Sequence, residues 1–219
     1  MYWHWRRLKL LYETSVSLMY TMSDDGERFY AASTTAGMFV LDTDAIAHEL
    51  TAANQSGTRA IAHEFGAEYL DEQGRLDRKR MRELVFSDAA AKRRLEALLH
   101  PLIRREVTSR IANCSGKSAV EVPYIVLVVP LLVETSAYRE LARRILVVDC
   151  DEELQVARVM HRSGLTPDAV RAIMANQVSR ARRLEHADDV VRNDGDLAAL
   201  ESAVAALHEQ YVRLRTEAG

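Results

Sequence analysis

Four short apolar runs, each followed at once by polar residues and separated by long amphipathic stretches, constrain this chain more than any other feature. They read as strands over residues 38–41, 125–132, 144–148 and 189–191. Between them, as in 88–113 and 167–186, apolar residues recur at helical spacing. Strands alternating with helices imply a parallel sheet wrapped by right-handed crossovers. The stretch 50–123 is too long for one crossover helix and fits an inserted helical subdomain. Inside this region and just before it, two near-identical hexapeptides, AIAHEL at 45–50 and AIAHEF at 60–65, read as parts of two separate helices, since one short repeat does not make a repeat architecture.

Composition narrows the classes. With 29 basic and 32 acidic residues the formal charge is −3, so no overall field recruits nucleic acid or an anionic membrane, and anion binding must be local. Apolar run 124–133 is too short for a bilayer and contains Pro130, so the chain is expected to be soluble, without a membrane partner. The N-terminal stretch has early basic residues, but Glu13 interrupts its apolar part and no signal-peptide cleavage site follows. Cys114 and Cys150 form no CxxC and imply neither a disulfide framework nor a zinc site, which points to a reducing cytoplasm. His48 and His63 sit beside glutamates without HExxH spacing, so no resident metal is expected.

Parallel sheets bind ligands beyond the carboxyl ends of their strands. The residues there are Asp42 and Asp44, Glu134, Asp149 and Asp151, and Asn193 and Asp194. For Asp149 and Asp151 a helix-capping role and a ligand role both fit; the pair Asp42 and Asp44 points to function. From Arg158 to Arg183 there are six arginines, no lysine and one acid, Asp168. Arg158 and Arg162 would share one helix face and Arg180 and Arg183 another. Planar guanidinium forks suit phosphate oxygens, and mobile cationic segments close over nucleotides. A solvated basic helix paired with acids such as Glu185 is the alternative. The break at 163–167 (SGLTP) reads as the tip of a helical hairpin.

Taken in order, LDTDAIAHELT (41–51), LEALLHPLIRREV (95–107), VVPLLVET (128–135) and QVSRARRLEHADDVVRNDG (177–195) resemble the dephospho-coenzyme A kinases, from about residue 37 to 212. The resemblance implies an α/β, P-loop-kinase-like parallel sheet with flanking helices, a helical coenzyme A insertion at about 50–123 and a helical lid at about 151–185. It implies transfer of the γ-phosphate of ATP, carried with Mg2+, to the ribose 3′-hydroxyl of dephospho-coenzyme A. Asp44 would orient or deprotonate that hydroxyl. Asp42, His48, His100, Pro130, Leu131 and Leu132 would border the acceptor, with Pro101 beside His100 in the coenzyme A domain. Arg158, Arg162, Arg180, Arg183, Asn193 and Gly195 would serve ATP. A helix residue beside Pro101 is the plainer reading of His100.

One part of the pattern is missing. Such kinases need a strand, then GxxxxGK followed by Ser or Thr, then a helix, upstream of the aspartate pair. Residues 1–41 hold only Gly26 and Gly37, and Lys9 stands alone among leucines. Residues 1–36 thus form an atypical segment in place of the P-loop region, either a garbled or misassigned start or a real replacement. Gly116, Lys117 and Ser118 spell the end of the motif, but Ile111 stands where its first glycine should be, and the tripeptide precedes a strand instead of following one. It reads as a polar loop. Losing the amide cradle, the lysine and the magnesium-binding hydroxyl should leave turnover impaired. The alternatives are a non-catalytic module that binds dephospho-coenzyme A or coenzyme A, and an interaction protein using Trp3, Trp5 and the long helices.

Overall fold

The computed structural model describes residues 6–11, 16–21, 39–115, 124–130, 138, 141–175 and 177–216. Expected acceptor residues Leu131 and Leu132 and the tripeptide 116–118 lie outside them, as does Glu134. The chain forms two compact units, one of residues 1–42 and 114–219, the other of residues 43–113.

The first unit is built on a sheet of strands β1 (Arg6–Leu11), β2 (Val16–Thr21), β3 (Phe39–Asp42), β4 (Tyr124–Pro130), β5 (Ala142–Asp149) and β6 (Asp189–Arg192), in the order β3-β4-β1-β2-β5-β6. The expected strands recur with boundaries shifted by at most two residues, and β3, β4, β2, β5 and β6 run parallel. Strand β1 departs from the expected parallel arrangement. It lies antiparallel to β2, β4 and β5, because residues 12–15 are too few for a crossover and allow only a hairpin. Both β1 and β2 register against Val126, Ile145 and Leu146.

Strand β4 over residues 124–129 and the last five residues of β5, 145–149, are all under 4% exposed, as near-continuous apolar runs in a parallel sheet should be. Alternate residues Tyr124, Val126, Val128, Leu146 and Val148 share one face with Val191 of β6 and pack against the helix Leu197–Thr216 through Leu200, Val204, Leu207 and Tyr211. Tyr211 donates to Asp189 Oδ2 at 2.6 Å, and Arg144 grips both oxygens of Asp189 at 2.7 and 2.9 Å. The phenol of Tyr124 is hydrogen-bonded to His208 Nδ1 at 2.7 Å. This helix is therefore fastened to the sheet by polar as well as apolar contacts.

The second unit is helical. In chain order it contains α1 (Thr43–Leu50), α2 (Ser56–Phe65), a 3₁₀ turn at Ala67–Tyr69, α3 (Arg78–Ser87) and α4 (Ala89–Ser115), whose last two residues belong to the first unit. The two hexapeptides fall in α1 and α2, and their isoleucines, Ile46 and Ile61, are both buried. Asp77 caps α3 by accepting from the amides of Lys79 and Arg80, and Asp88 does the same for Ala90 and Ala91 at the start of α4. Ile61, Met81 and Val85 form its core, covered by Phe65, Tyr69, Leu95 and Leu98 among others.

The remaining helices of the first unit are α5 (Glu152–Ser163), α6 (Pro167–Ala175), α7 (Arg180–Glu185) and the helix already described, α8 (Leu197–Thr216). The expected helix over 167–186 is broken in two, since Ser179 turns the chain to cap α7 by accepting from Arg182 N. The expected turn at 163–167 is formed by Gly164, whose φ of 66° ends α5 in the left-handed conformation that glycine adopts without strain.

Candidate active site

The carboxyl ends of the parallel strands lie on one edge of the sheet, and the side chains there divide by role. Asp151 is a helix cap: its carboxylate accepts from the amides of Glu153 and Leu154 at the start of α5. Asp149, the last residue of β5, caps nothing. Its side chain is 2% exposed, and it takes Arg180 Nε and a terminal nitrogen at 2.7 and 2.6 Å and Arg192 at 2.6 Å. Burial alone would push this carboxyl's pKa up, but the hydrogen bond and charge of Arg180, joined by Arg192, outweigh it and hold the group below its ordinary 3.8. Arg192 also reaches Asp194 at 2.8 Å, and Asp194 in turn accepts from the amide of Asp151.

The arginines therefore fall into different environments. Arg180 is committed to Asp149 in this state. Arg183 is buried, with a guanidinium that donates to Val178 O at 2.6 Å. Arg158, half-buried on α5, donates to Asn193 O at 2.7 Å and Gly195 O at 3.5 Å and approaches Cys150 Sγ at 3.5 Å. It brings three sequence-derived residues together: Arg158, Asn193 and Gly195. Asn193 is itself buried, its amide bonded to Asp149 O at 2.8 Å. Arg162 occupies a helical position on α5, and its side chain lies outside the described residues. Exposed Arg182 approaches Glu185 at 4.0 Å, a weak surface pair of the kind the solvated-helix reading supposes.

Asp42 ends β3, in register with Val128 of β4. Pro130 ends β4. In the second unit Asp44 is the second residue of α1 and half-buried, while His48 on α1 and His100 on α4 are exposed. A residue that sequence reasoning passed over is Arg78, the first of α3, whose guanidinium donates to Thr51 Oγ1 at 2.8 Å and feels the charge of Asp44. The signal available for it was its position directly after the capping Asp77. Cys150 is buried and forms no disulfide. Among the described residues no cluster of three or more His, Cys, Asp or Glu is arranged to hold a metal ion, and no helix is long and apolar enough to cross a membrane.

Solved structures share this architecture. A Thermus thermophilus protein superposes with a TM-score of 0.68 at 32% identity, covering 84% of this chain and 90% of that one. The dephospho-CoA kinase from Campylobacter jejuni gives 0.64 at 24% identity, over 85% and 91%. Strand order, the shared direction of five strands and the polar strand-end edge thus belong to the P-loop-kinase-like α/β fold. In sequence, the dephospho-CoA kinase family profile matches residues 29–199. The dephospho-CoA kinase of Nitrosospira multiformis is 51% identical over 81% of this chain and 86% of its own length, and that of Thiobacillus denitrificans 53% identical over 81% and 85%. The chain belongs to the dephospho-CoA kinase family.

Proposed function

We propose that this chain is an ATP-dependent kinase that phosphorylates the ribose 3′-hydroxyl of dephospho-coenzyme A, giving coenzyme A and ADP. The observation that carries the reading is the family match across 29–199, which includes the aspartates at the end of β3 and the start of α1 and the arginine-bearing segment α5–α7. In the reaction the 3′-oxygen attacks the γ-phosphorus, the bond from that phosphorus to the β,γ-bridging oxygen breaks, and ADP leaves with the bridging electrons. Asp44 accepts or orients the hydroxyl proton. Because phosphoryl transfer has a loose transition state, such a carboxylate acts chiefly by positioning. Asp42, His48, His100 and 130–132 border the acceptor in this reading. Arg158, Arg162, Arg180 and Arg183 serve the phosphates of MgATP, with Asn193 and Gly195 near its base. Residues of about 50–123 act as the acceptor domain and about 151–185 as the lid. For Arg180 the role requires exchange of Asp149 for phosphate, since both compete for one guanidinium fork. The cytoplasm is the compartment in which both substrates meet a reduced thiol such as Cys150.

A second reading has its own observation. Residues 1–41 contain no GxxxxGK[ST], so a scaffold that binds the acceptor without turning over ATP is consistent with the same family match. Release of ADP by the purified chain with MgATP and dephospho-coenzyme A, beside an Asp44→Ala control, separates the two. Turnover at about 1–100 per second, abolished in the control, establishes the kinase. Acceptor binding without turnover establishes the scaffold.

A further inference from the structure

Asp44 and Thr51 are seven residues apart along α1 and its end, so they lie on one face of that helix. Thr51 is buried at 3% exposure; its hydroxyl donates to Ala47 O at 2.7 Å, and its carbonyl accepts from Leu76 N at 3.1 Å. That backbone bond pins the start of α3 alongside α1, and Arg78 follows with its bond to Thr51 Oγ1. Among the described residues this is the one hydrogen bond the Arg78 guanidinium makes, although the group carries five N–H donors. Burial lowers its pKa and the charge of Asp44 pulls it back, with Arg82 opposing; an arginine so perturbed still carries its charge at neutral pH. A cation with guanidinium donors to spare thus stands on the Asp44 face of α1, within one compact unit.

We propose that Arg78 is an anion-binding residue for the acceptor nucleotide, taking the oxygens of a phosphate group that the acceptor carries beside Asp44. The inference rests on the kinase reading. Transfer to a hydroxyl at Asp44 creates a phosphate dianion next to a carboxylate, and like charges that close need a cation between or beside them. A planar fork matches phosphate oxygens two at a time. The phosphate has two sources: the newly formed 3′-phosphate of coenzyme A, or the 5′-diphosphate present in substrate and product alike.

Titration calorimetry of the full 219-residue chain with coenzyme A, dephospho-coenzyme A and adenosine tests this, comparing wild type with Arg78→Met and Arg78→Gln. A charged hydrogen bond lost on binding weakens affinity about tenfold or more. Loss confined to coenzyme A assigns Arg78 to the 3′-phosphate, and equal loss for both nucleotides assigns it to the 5′-diphosphate, with adenosine unaffected in either case. Arg78→Gln keeps a side-chain donor for Thr51 and serves if Arg78→Met loses its helical circular dichroism. Unchanged affinities in a folded variant, or an equal loss for adenosine, overturn the assignment alone. Failure of the wild type to bind either nucleotide overturns the kinase reading and this inference with it.

Discussion

Asp149 illustrates what one buried carboxylate does at a strand end. It ties α7, through Arg180, and β6, through Arg192, to β5. Replacing it with asparagine leaves two guanidinium groups short of charge. Because Arg192 is 60% exposed and keeps Asp194, we expect a loss of about 2 kcal/mol, below the cost of breaking a fully buried pair, read from urea unfolding. The pH dependence follows from the depressed pKa. The stabilisation is complete above the unfolded carboxyl value of about 3.9 and disappears as pH falls through the lower folded value. The gap between wild type and Asp149→Asn should therefore be level above about pH 5 and close on acidification. Tyr211→Phe is a milder case. Burial first, then Asp189, pushes this phenol's pKa up, so it remains a donor, and Asp189 keeps Arg144 when the hydroxyl goes; about 1 kcal/mol is the expected cost, read in the same urea titration. At this scale the sequence was only partly legible. Asp149 and Asp151 look alike in the one-dimensional pattern, and only the arrival of Arg180 from a distant helix separates the ion-pair residue from the cap.

Elements were read more readily than their ends. The buried runs of β4 and β5 and the capping aspartates carry local signals, whereas the break between α6 and α7 depends on where residues 177–179 turn, which hydrophobic periodicity does not report. Gly57, in the first turn of α2, shows a tertiary demand that no propensity scale contains. A Cβ there would stand 2.5 Å from Leu50 O, a backbone atom that cannot rotate away. Gly57→Ala should therefore destabilise the helical unit by about 1–3 kcal/mol despite alanine's better helix propensity, visible as a lower thermal midpoint by circular dichroism at 222 nm.

For the molecule as a whole, alternation of strand and helix was enough to reach the sheet, but not its centre. RRLKLL in β1 carries three cations in six residues and gives little strand signal, yet it and β2 register against the most buried strands present. Deleting residues 1–21 should therefore expose the facing edges of β4 and β5. The expected result is loss of a single cooperative unfolding transition and a rise in binding of an apolar dye; an unchanged transition would mean that neither segment holds that place. The chain path has a further consequence. Since the peptide enters the helical unit at Thr43 and leaves it at Asn113, that unit is a closed parenthesis in the gene. Spliced at those two joints into a relative with an intact GxxxxGK[ST] loop, it should travel as a cassette and impose its own choice of acceptor on a borrowed phosphate donor site.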